Sequence, residues 1–280
     1  MAKPKKIHKE RKKKGLPPLA DLADRHDLYE RSVQSVETEI EFLRDTFRTV
    51  RGRPAVSLRE DFCGTAAAAC EWIKDNPNHT AQGVDFDKEV LDWGRARHVA
   101  KLDDEQKSRL LLAEDNVLTA KLDPVDMLVA FNFSYWIFNT RESLRKYFEV
   151  ARSNLKDDGL FIVDAFGGSE AHDEMEEETE HDNFTYIWEQ GSFDPITHAM
   201  QCFIHFSFPD GSRLKRAFTY DWRFWMLPEI QELLIEAGFS KATVYWQLED
   251  DEDDEEEGDF EPAERGEPDP AWIAYIVAEK

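Results

Sequence analysis

From Ala55 to Cys70 the chain passes from an apolar strand-forming segment, Ala55 to Glu60, into the acidic pair Glu60 and Asp61. A tight turn at Cys63 and Gly64 follows, then an alanine-rich helix starting near Thr65. A buried strand that feeds a helix through a glycine leaves unpaired backbone N–H groups at the helix start, aimed at whatever lies above the strand end. The acid at the strand tip sets an acceptor beside those donors. That pairing suits a ligand bearing both an ammonium and a carboxylate better than it suits a pyrophosphate. An ordinary strand-turn-helix connection with a solvated acidic cap accounts for the same residues, so their neighbours must decide.

Around this stretch the chain alternates strand and helix. The apolar positions Val33, Val36, Ile40, Leu43 and Phe47 step by three and four and predict one amphipathic helix from Asp27 onward, ended by Arg51 to Pro54. Further strands are predicted at 80–85, 109–113, 125–131 and 159–164, with helices at 65–74, 88–100 and 140–155. Such an alternation implies βαβ units on a parallel sheet with right-handed crossovers, and ligands of such sheets sit outside the carboxyl ends of the strands. That rule gathers Glu60 to Thr65, Asp85, Asp115 and Asn132 to Tyr135 on one rim. Asp85, 21 residues beyond Gly64, has the offset at which a strand-end acid meets a ribose. Beyond Gly167 and Gly168 the pattern changes: an acidic loop, 170–182, precedes period-two segments at 184–190, 199–208 and 213–222, read as a small antiparallel sheet. A helix at 227–237 and strands at 241–248 and 271–278, joined by an acidic loop, complete the chain.

Charge narrows the partners. The formal net charge is -24, yet Met1 to Lys14 carries eight Lys and Arg against one Glu, and Glu249 to Glu261 carries eleven acids. An acidic body cannot grip a phosphate backbone on a broad basic face, so contact with nucleic acid is expected only through the basic tail. Three cysteines without C-x-x-C spacing argue against a disulfide framework and fit a reducing cytoplasm, and the amino terminus has no continuous apolar segment for a membrane. The eight histidines show no ligand spacing, and no metal is expected. No G-x-G-x-x-G, P-loop, H-E-x-x-H or G-x-S-x-G sequence is present, which removes the dehydrogenase, kinase-like, zinc-protease and serine-hydrolase readings.

Glu60-x-Phe62-Cys63-Gly64-Thr65-Ala66, Gly83-Val84-Asp85, Glu114-Asp115, Phe131 to Tyr135 and Gly159 to Asp164 resemble, in order and spacing, the successive motifs of class I S-adenosylmethionine-dependent methyltransferases. The resemblance runs from about Tyr29 to the carboxyl terminus. It implies a Rossmann-like, seven-stranded, mostly parallel α/β sheet with an inserted antiparallel β lid of the kind found in small-molecule enzymes. The implied division is a disordered basic tail at 1–26, a cofactor-binding α/β domain at 27–166, a lid at 167–224 and the completion of the α/β domain at 225–280, with an acidic loop at 249–270. By resemblance Glu60 meets the methionine ammonium, Phe62, Cys63, Gly64 and Thr65 form the loop beneath the methionyl group, and Asp85 holds the ribose beside Phe86 and the adenine. Asp115, with Asn116 and Val117, reads the adenine, and Tyr29 closes over the cofactor. Asn132, Phe133, Ser134 and Tyr135 line the transfer site, where Asn132 and Tyr135 are the candidate catalytic residues, and Asp164 or water are further candidates to take a proton.

One departure stands out. The family has glycine where this chain has Phe62 and Ala66, so the loop is expected to take a different conformation or the cofactor to ride higher. Trp136, Trp188, Arg216 and Arg223 are the candidate acceptor-contacting residues. The expected activity is methyl transfer from S-adenosylmethionine to a nitrogen or oxygen of a small molecule. The alternatives are an rRNA-, ribosome- or protein-associated methyltransferase that uses the basic tail, and a non-catalytic binding protein on the same fold.

Overall fold

The computed structural model describes residues 11, 13–248 and 260–280. The lysine-rich start of the chain and the core of the acidic run, on which the tail and tether expectations rest, lie outside the described residues. The chain divides into two compact units, one of residues up to Gln34 together with Ala171–Phe224, the other of Ser35–Glu170 with Trp225–Lys280.

The expected single amino-terminal helix is two. Helix α1 spans Arg25–Val33 and belongs to the first unit, while α2 spans Val36–Arg51 and belongs to the second. Both halves keep the apolar stripe, so periodicity alone could not reveal the break at Gln34 and Ser35. Ile40, Leu43 and Phe47 of α2 are buried in the main core, and α2 ends at Gly52, which takes the left-handed conformation that a helix stop favours.

In the larger unit, β1 (Ser57–Asp61), α3 (Ala67–Asp75), β2 (Thr80–Asp85), α4 (Lys88–Arg97), α5 (Asp104–Ser108), β3 (Leu110–Glu114), β4 (Val125–Ala130), α6 (Arg141–Ser153) and β5 (Leu155–Gly167) follow one another; the alternation predicts all but the short α5, and β5 is longer at both ends than expected. The alanines of α3 let it lie close to the sheet, where Ala69, Cys70, Trp72 and Ile73 join Leu43, Phe47 and Leu58 in one core. Every residue of β4 is buried, Asp126 included, as its near-continuous apolar run requires of a strand covered on both faces.

The smaller unit corrects two expectations. The acidic stretch after Gly168 is not all loop: it contains the edge strand β6 (Met175–Glu180), which pairs antiparallel with β7 (Thr185–Phe193). With β8 (Ala199–Ser207) and β9 (Arg213–Arg223) it makes a four-stranded sheet in the order β6-β7-β8-β9. A run of glutamates at an exposed edge is poor in strand propensity, but it also deters pairing with other chains. The segment before Asp27 is also more ordered than expected: Leu19–Leu22 forms a 3-10 turn whose Leu19 N–H donates to Asp210 (3.0 Å), with Ala20 N–H donating to Ser212 Oγ (3.1 Å).

Completing the larger unit are α7 (Leu227–Glu236), β10 (Lys241–Gln247), β11 (Phe260–Ala263) and β12 (Trp272–Glu279). Its sheet order is β11-β10-β12-β5-β4-β1-β2-β3, eight strands among the described residues rather than seven, the addition being the short edge strand β11. Strands β3, β2, β1, β4 and β5 run parallel. Because β1 lies between β2 and β4, the chain reverses direction across the sheet there, and a crevice opens above the strand ends.

At the opposite end of β4, buried Asp126 accepts from Val56 N–H (3.0 Å), Ser57 N–H (2.9 Å) and Ser57 Oγ (2.9 Å), and pairs with Arg53 (2.8 Å) and Lys156 (3.1 Å). Burial pushes its pKa up, but Arg53, the two main-chain donors and Lys156 outweigh it and hold the carboxyl well below the usual range. A depressed folded pKa means that this contribution is present above about pH 4 and lost as pH falls further. Asp126→Asn is expected to cost about 2–4 kcal/mol in urea unfolding at pH 7 and to flatten the loss of stability below pH 4.

Candidate functional site

The turn after β1 keeps a glycine-type backbone without the glycines. Phe62, Gly64 and Ala66 have φ of 59°, 51° and 59°, so the loop does not adopt the different conformation expected from its sequence. Left-handed backbone costs an ordinary residue on the order of 1–2 kcal/mol, a penalty that good packing can offset. Phe62 packs its ring near Tyr147 (5.7 Å between centroids) and Phe138 (6.2 Å), and Ala66 is fully buried. At Gly64 a Cβ would meet nothing within 4 Å, so the main chain there is open to an approaching group.

Space, not φ, dictates two other glycines. A Cβ on Gly83 would stand 2.8 Å from Cys63 Sγ, and one on Gly94, midway along α4, would stand 2.1 Å from the Thr65 carbonyl oxygen. Gly94 therefore lets α4 press against the loop. The sequence reading missed it, although a glycine inside a helical pattern is the signal for a close approach.

The strand-end acids are tied into the loop. Asp85 accepts from Gly64 N–H and from Asp87 N–H, both at 2.8 Å, while its carbonyl takes Asp115 N–H at 3.0 Å. The ends of β1, β2 and β3 are thus joined through one residue. Asp115 and Asn116 are exposed at the third strand end, Val117 beside them is buried, and Phe86 presents 72% of its surface. Glu60 is buried and accepts from Ala69 N–H at 3.3 Å. Burial, then Glu39, raises its pKa to about 8, and burial raises that of Asp85 as well. Burial also pushes the Cys63 thiol well up, leaving it neutral.

The acidic pair Glu60 and Asp61 is divided between the two faces of β1, as strand alternation requires. Asp61 is buried against Arg59 (Oδ1 to Nε, 2.7 Å) and accepts the Tyr147 hydroxyl at 3.1 Å. Arg59 is itself fully buried. Only Glu60 is left to act as the acceptor beside the loop. A buried guanidinium in a central strand carried no sequence signal.

After β4, Asn132 and Phe133 are both left-handed, with φ of 55° and 56°. Their N–H groups donate to the two oxygens of Asp164, at 2.6 and 2.9 Å, and Ser134 Oγ donates to the Phe131 carbonyl at 2.6 Å. Asn132, Phe133 and Ser134 remain partly exposed. Tyr135 does not: it is fully buried, its hydroxyl donates to the Asp164 carbonyl at 2.8 Å, and burial followed by Asp164 holds its pKa far above the ordinary phenol value. It cannot serve as an accessible proton acceptor, which corrects its catalytic assignment. Trp136 is also fully buried, stacked on Phe166 at 4.8 Å, and so is core rather than an acceptor wall.

Four candidates lie in the smaller unit. Tyr29, on α1, packs on Phe218 at 4.9 Å, in the unit of the antiparallel sheet rather than with the α/β residues among which the sequence placed it. Trp188 stands opposite Ile204 and near Tyr220 (6.1 Å) and Trp222 (6.3 Å). Arg216 lies over the Phe203 ring at 4.3 Å, beside His205, and so belongs to the other face of that sheet. The structure therefore does not bring Trp188 and Arg216 together. Arg223, the last residue of β9, is half-buried.

Two outcomes follow from this geometry. Gly94→Ala is expected to displace the Thr65 loop and cost about 1–3 kcal/mol in thermal unfolding. Glu60, with a folded pKa near 8, contributes stability that is present below about pH 4 and lost as pH rises through 8. Glu60→Gln should therefore flatten the decline of melting temperature between pH 5 and 9.

No protein-family model matches the chain, and no curated protein matches it. Solved structures do. A S-adenosylmethionine-dependent methyltransferase from Clostridium acetobutylicum superposes with a TM-score of 0.65 at 14% identity, covering 91% of this chain and 96% of that one. CalS10, an amino pentose methyltransferase of Micromonospora echinaspora with S-adenosylmethionine bound, gives 0.65 at 12% identity, covering 91% and 95%. The sugar N-methyltransferase KedS8 from a Streptoalloteichus species gives 0.61 at 16% identity, covering 91% and 92%. The chain has the Rossmann-like α/β fold on which these S-adenosylmethionine-dependent methyltransferases are built.

Proposed function

We propose that the chain transfers a methyl group from S-adenosylmethionine to a nitrogen or oxygen of a small-molecule acceptor. The observation that carries the reading is the convergence of Glu60, Gly64, Asp85, Asp115 and Asn132 on the carboxyl rim of one parallel sheet, with Asp85 bonded to the Gly64 turn. The residues present fit the cofactor. Three acids stand at successive strand ends, matched to an ammonium, a diol and an exocyclic amine, and the main chain at Gly64 is open. When bound, the cofactor supplies an electrophilic sulfonium methyl, whose transfer in line leaves a neutral thioether.

On this reading Asp85 takes the ribose hydroxyls on the lone pairs that Gly64 and Asp87 leave free, and exposed Phe86 flanks the adenine that Asp115 and Asn116 read. Cys63 and Thr65 shape the floor under the methionyl group. Glu60 pairs with the ammonium and becomes ionised in doing so. Catalysis then rests on alignment and exclusion of water, for which about 7–11 kcal/mol is attainable in well-oriented systems. As the new N–C or O–C bond forms and the C–S bond breaks, the acceptor's proton is lost to water. Tyr135 is buried, and both carboxylate oxygens of Asp164 are already engaged.

The left-handed φ of Phe62, Gly64 and Ala66 supports the enzyme reading over a non-catalytic protein, which the missing glycines had favoured. The reading of a modifier guided by the basic tail rests on residues that lie mostly outside those described, and the neighbours named above for their substrates act on sugars. Among the described residues no helix is long and apolar enough to cross a membrane.

Calorimetry with S-adenosylmethionine and S-adenosylhomocysteine tests the cofactor. The wild type is expected to bind both, and Asp85→Ala to bind at least tenfold more weakly, the loss of about 1.5 kcal/mol or more typical of a charged hydrogen bond. Absence of binding in the wild type would overturn the reading. Because Glu60 starts with a raised pKa, binding at pH 7 should release a proton, seen as a heat that differs between phosphate and Tris buffers and that disappears in Glu60→Gln.

A further inference from the structure

Two consecutive left-handed residues, neither of them glycine, are costly, the phenylalanine more so than the asparagine. Asn132 and Phe133 hold that conformation where β4 opens onto the rim, so something must over-determine it. The hydrogen bonds identify what does. Both N–H groups converge on Asp164, one on each carboxylate oxygen, at 2.6 and 2.9 Å. From the other direction the Tyr135 hydroxyl closes on the Asp164 carbonyl at 2.8 Å. One residue of β5 therefore grips the segment at three points, through its side chain at 132 and 133 and its main chain at 135.

The grip is rigid because its base is. Asp164 lies on β5, between β4 and β12, where Val163 pairs with Ala130 and Asp164 itself stands opposite Tyr275. Phe166, two residues further along, is stacked by Trp136 and met edge-on by Phe133, so side-chain packing repeats the constraint of the hydrogen bonds. Asn132, at the crevice, stays partly exposed, as do Phe133 and Ser134.

We propose that Asp164 is the positioning residue of the transfer site: its carboxylate fixes the left-handed pair Asn132 and Phe133 and so aims the Asn132 side chain at the cofactor and acceptor. This rests on the methyltransferase reading for what Asn132 faces, but the clamp can be tested apart from it. The ionised carboxylate accepts both N–H groups, whereas a protonated one would turn an O–H towards one of them. Burial, opposed by the two N–H donors, raises the Asp164 pKa to about 7. The titratable groups about it are Tyr135 on the clamped segment, which stays neutral far above this range, and Tyr275 opposite on β12. The clamp therefore loosens as pH falls through neutrality.

The test follows the Asn132 and Phe133 amides by NMR in the isotope-labelled full chain between pH 5.5 and 8.5, in the wild type and Asp164→Asn, with S-adenosylhomocysteine affinity measured on the same samples. In the wild type both amide signals should titrate together near pH 7. In Asp164→Asn that titration should vanish, and both amides should exchange at least tenfold faster while those of Ser57–Asp61 are unchanged. Affinity for S-adenosylhomocysteine should fall about tenfold. Wild-type amides that do not titrate would overturn the clamp, and this measurement decides alone if the variant does not fold. Amides that respond while affinity is unchanged would overturn the positioning role and leave the methyltransferase reading standing. A wild type that titrates but binds no S-adenosylhomocysteine would overturn that reading, and the positioning role with it.

Discussion

The larger unit is held together by carboxylates that satisfy main-chain N–H groups which the parallel ladder cannot reach. Buried donors without partners cost about as much as a lost hydrogen bond, so every kink at a strand end must be matched by an acceptor. Asp126 does this for Val56 and Ser57, Glu60 for Ala69, Asp85 for Gly64 and Asp87, and Asp164 for Asn132 and Phe133. Asp126 secures the end of the sheet away from the rim. The other three lie along the rim, where they hold the turns that would face a ligand.

The two ends are electrostatically unlike. Asp126 is compensated by Arg53 and Lys156, so its ionised form is favoured and it stabilises the fold at neutral pH. Glu60 and Asp164 are matched by main-chain donors rather than by cations, and burial raises both towards neutrality or above. An acid left without a counter-charge beside an open turn is costly to the empty protein and favourable to a cationic ligand. On the proposed function, the rim would trade some stability for a site whose charge the bound ligand completes.

Much of this was legible in the sequence because the signals were strong and local. The near-continuous apolar run of β4, the alanines of α3 and the polar residues at strand ends follow from burial on both faces and from where chains leave a sheet. Other features depended on partners distant in sequence. The glutamates of β6 form a strand only because β7 pairs with them, and the stripe through Val33 and Val36 runs unbroken across a helix break. Tyr135 and Trp136 looked like rim residues beside Asn132, yet the left-handed turn at 132 and 133 rolls them into the core. Arg59 and Asp61 neutralise each other inside the sheet, where composition would place leucine or valine.

The loop after β1 shows why a glycine motif is better read as two separate demands. Where only φ is at stake, a residue with a Cβ can pay a modest conformational cost and recover it by packing, as Phe62 does against Tyr147 and Phe138 and Ala66 by full burial. Where space is at stake no such recovery exists, because a Cβ 2.1 Å from a carbonyl oxygen must move the backbone. Gly94, outside the motif and on the next helix but one from the sheet's first strand, is the glycine that the loop depends on for room. Phe62 and Ala66 therefore depart from the glycine signature while the backbone at both positions is left-handed all the same.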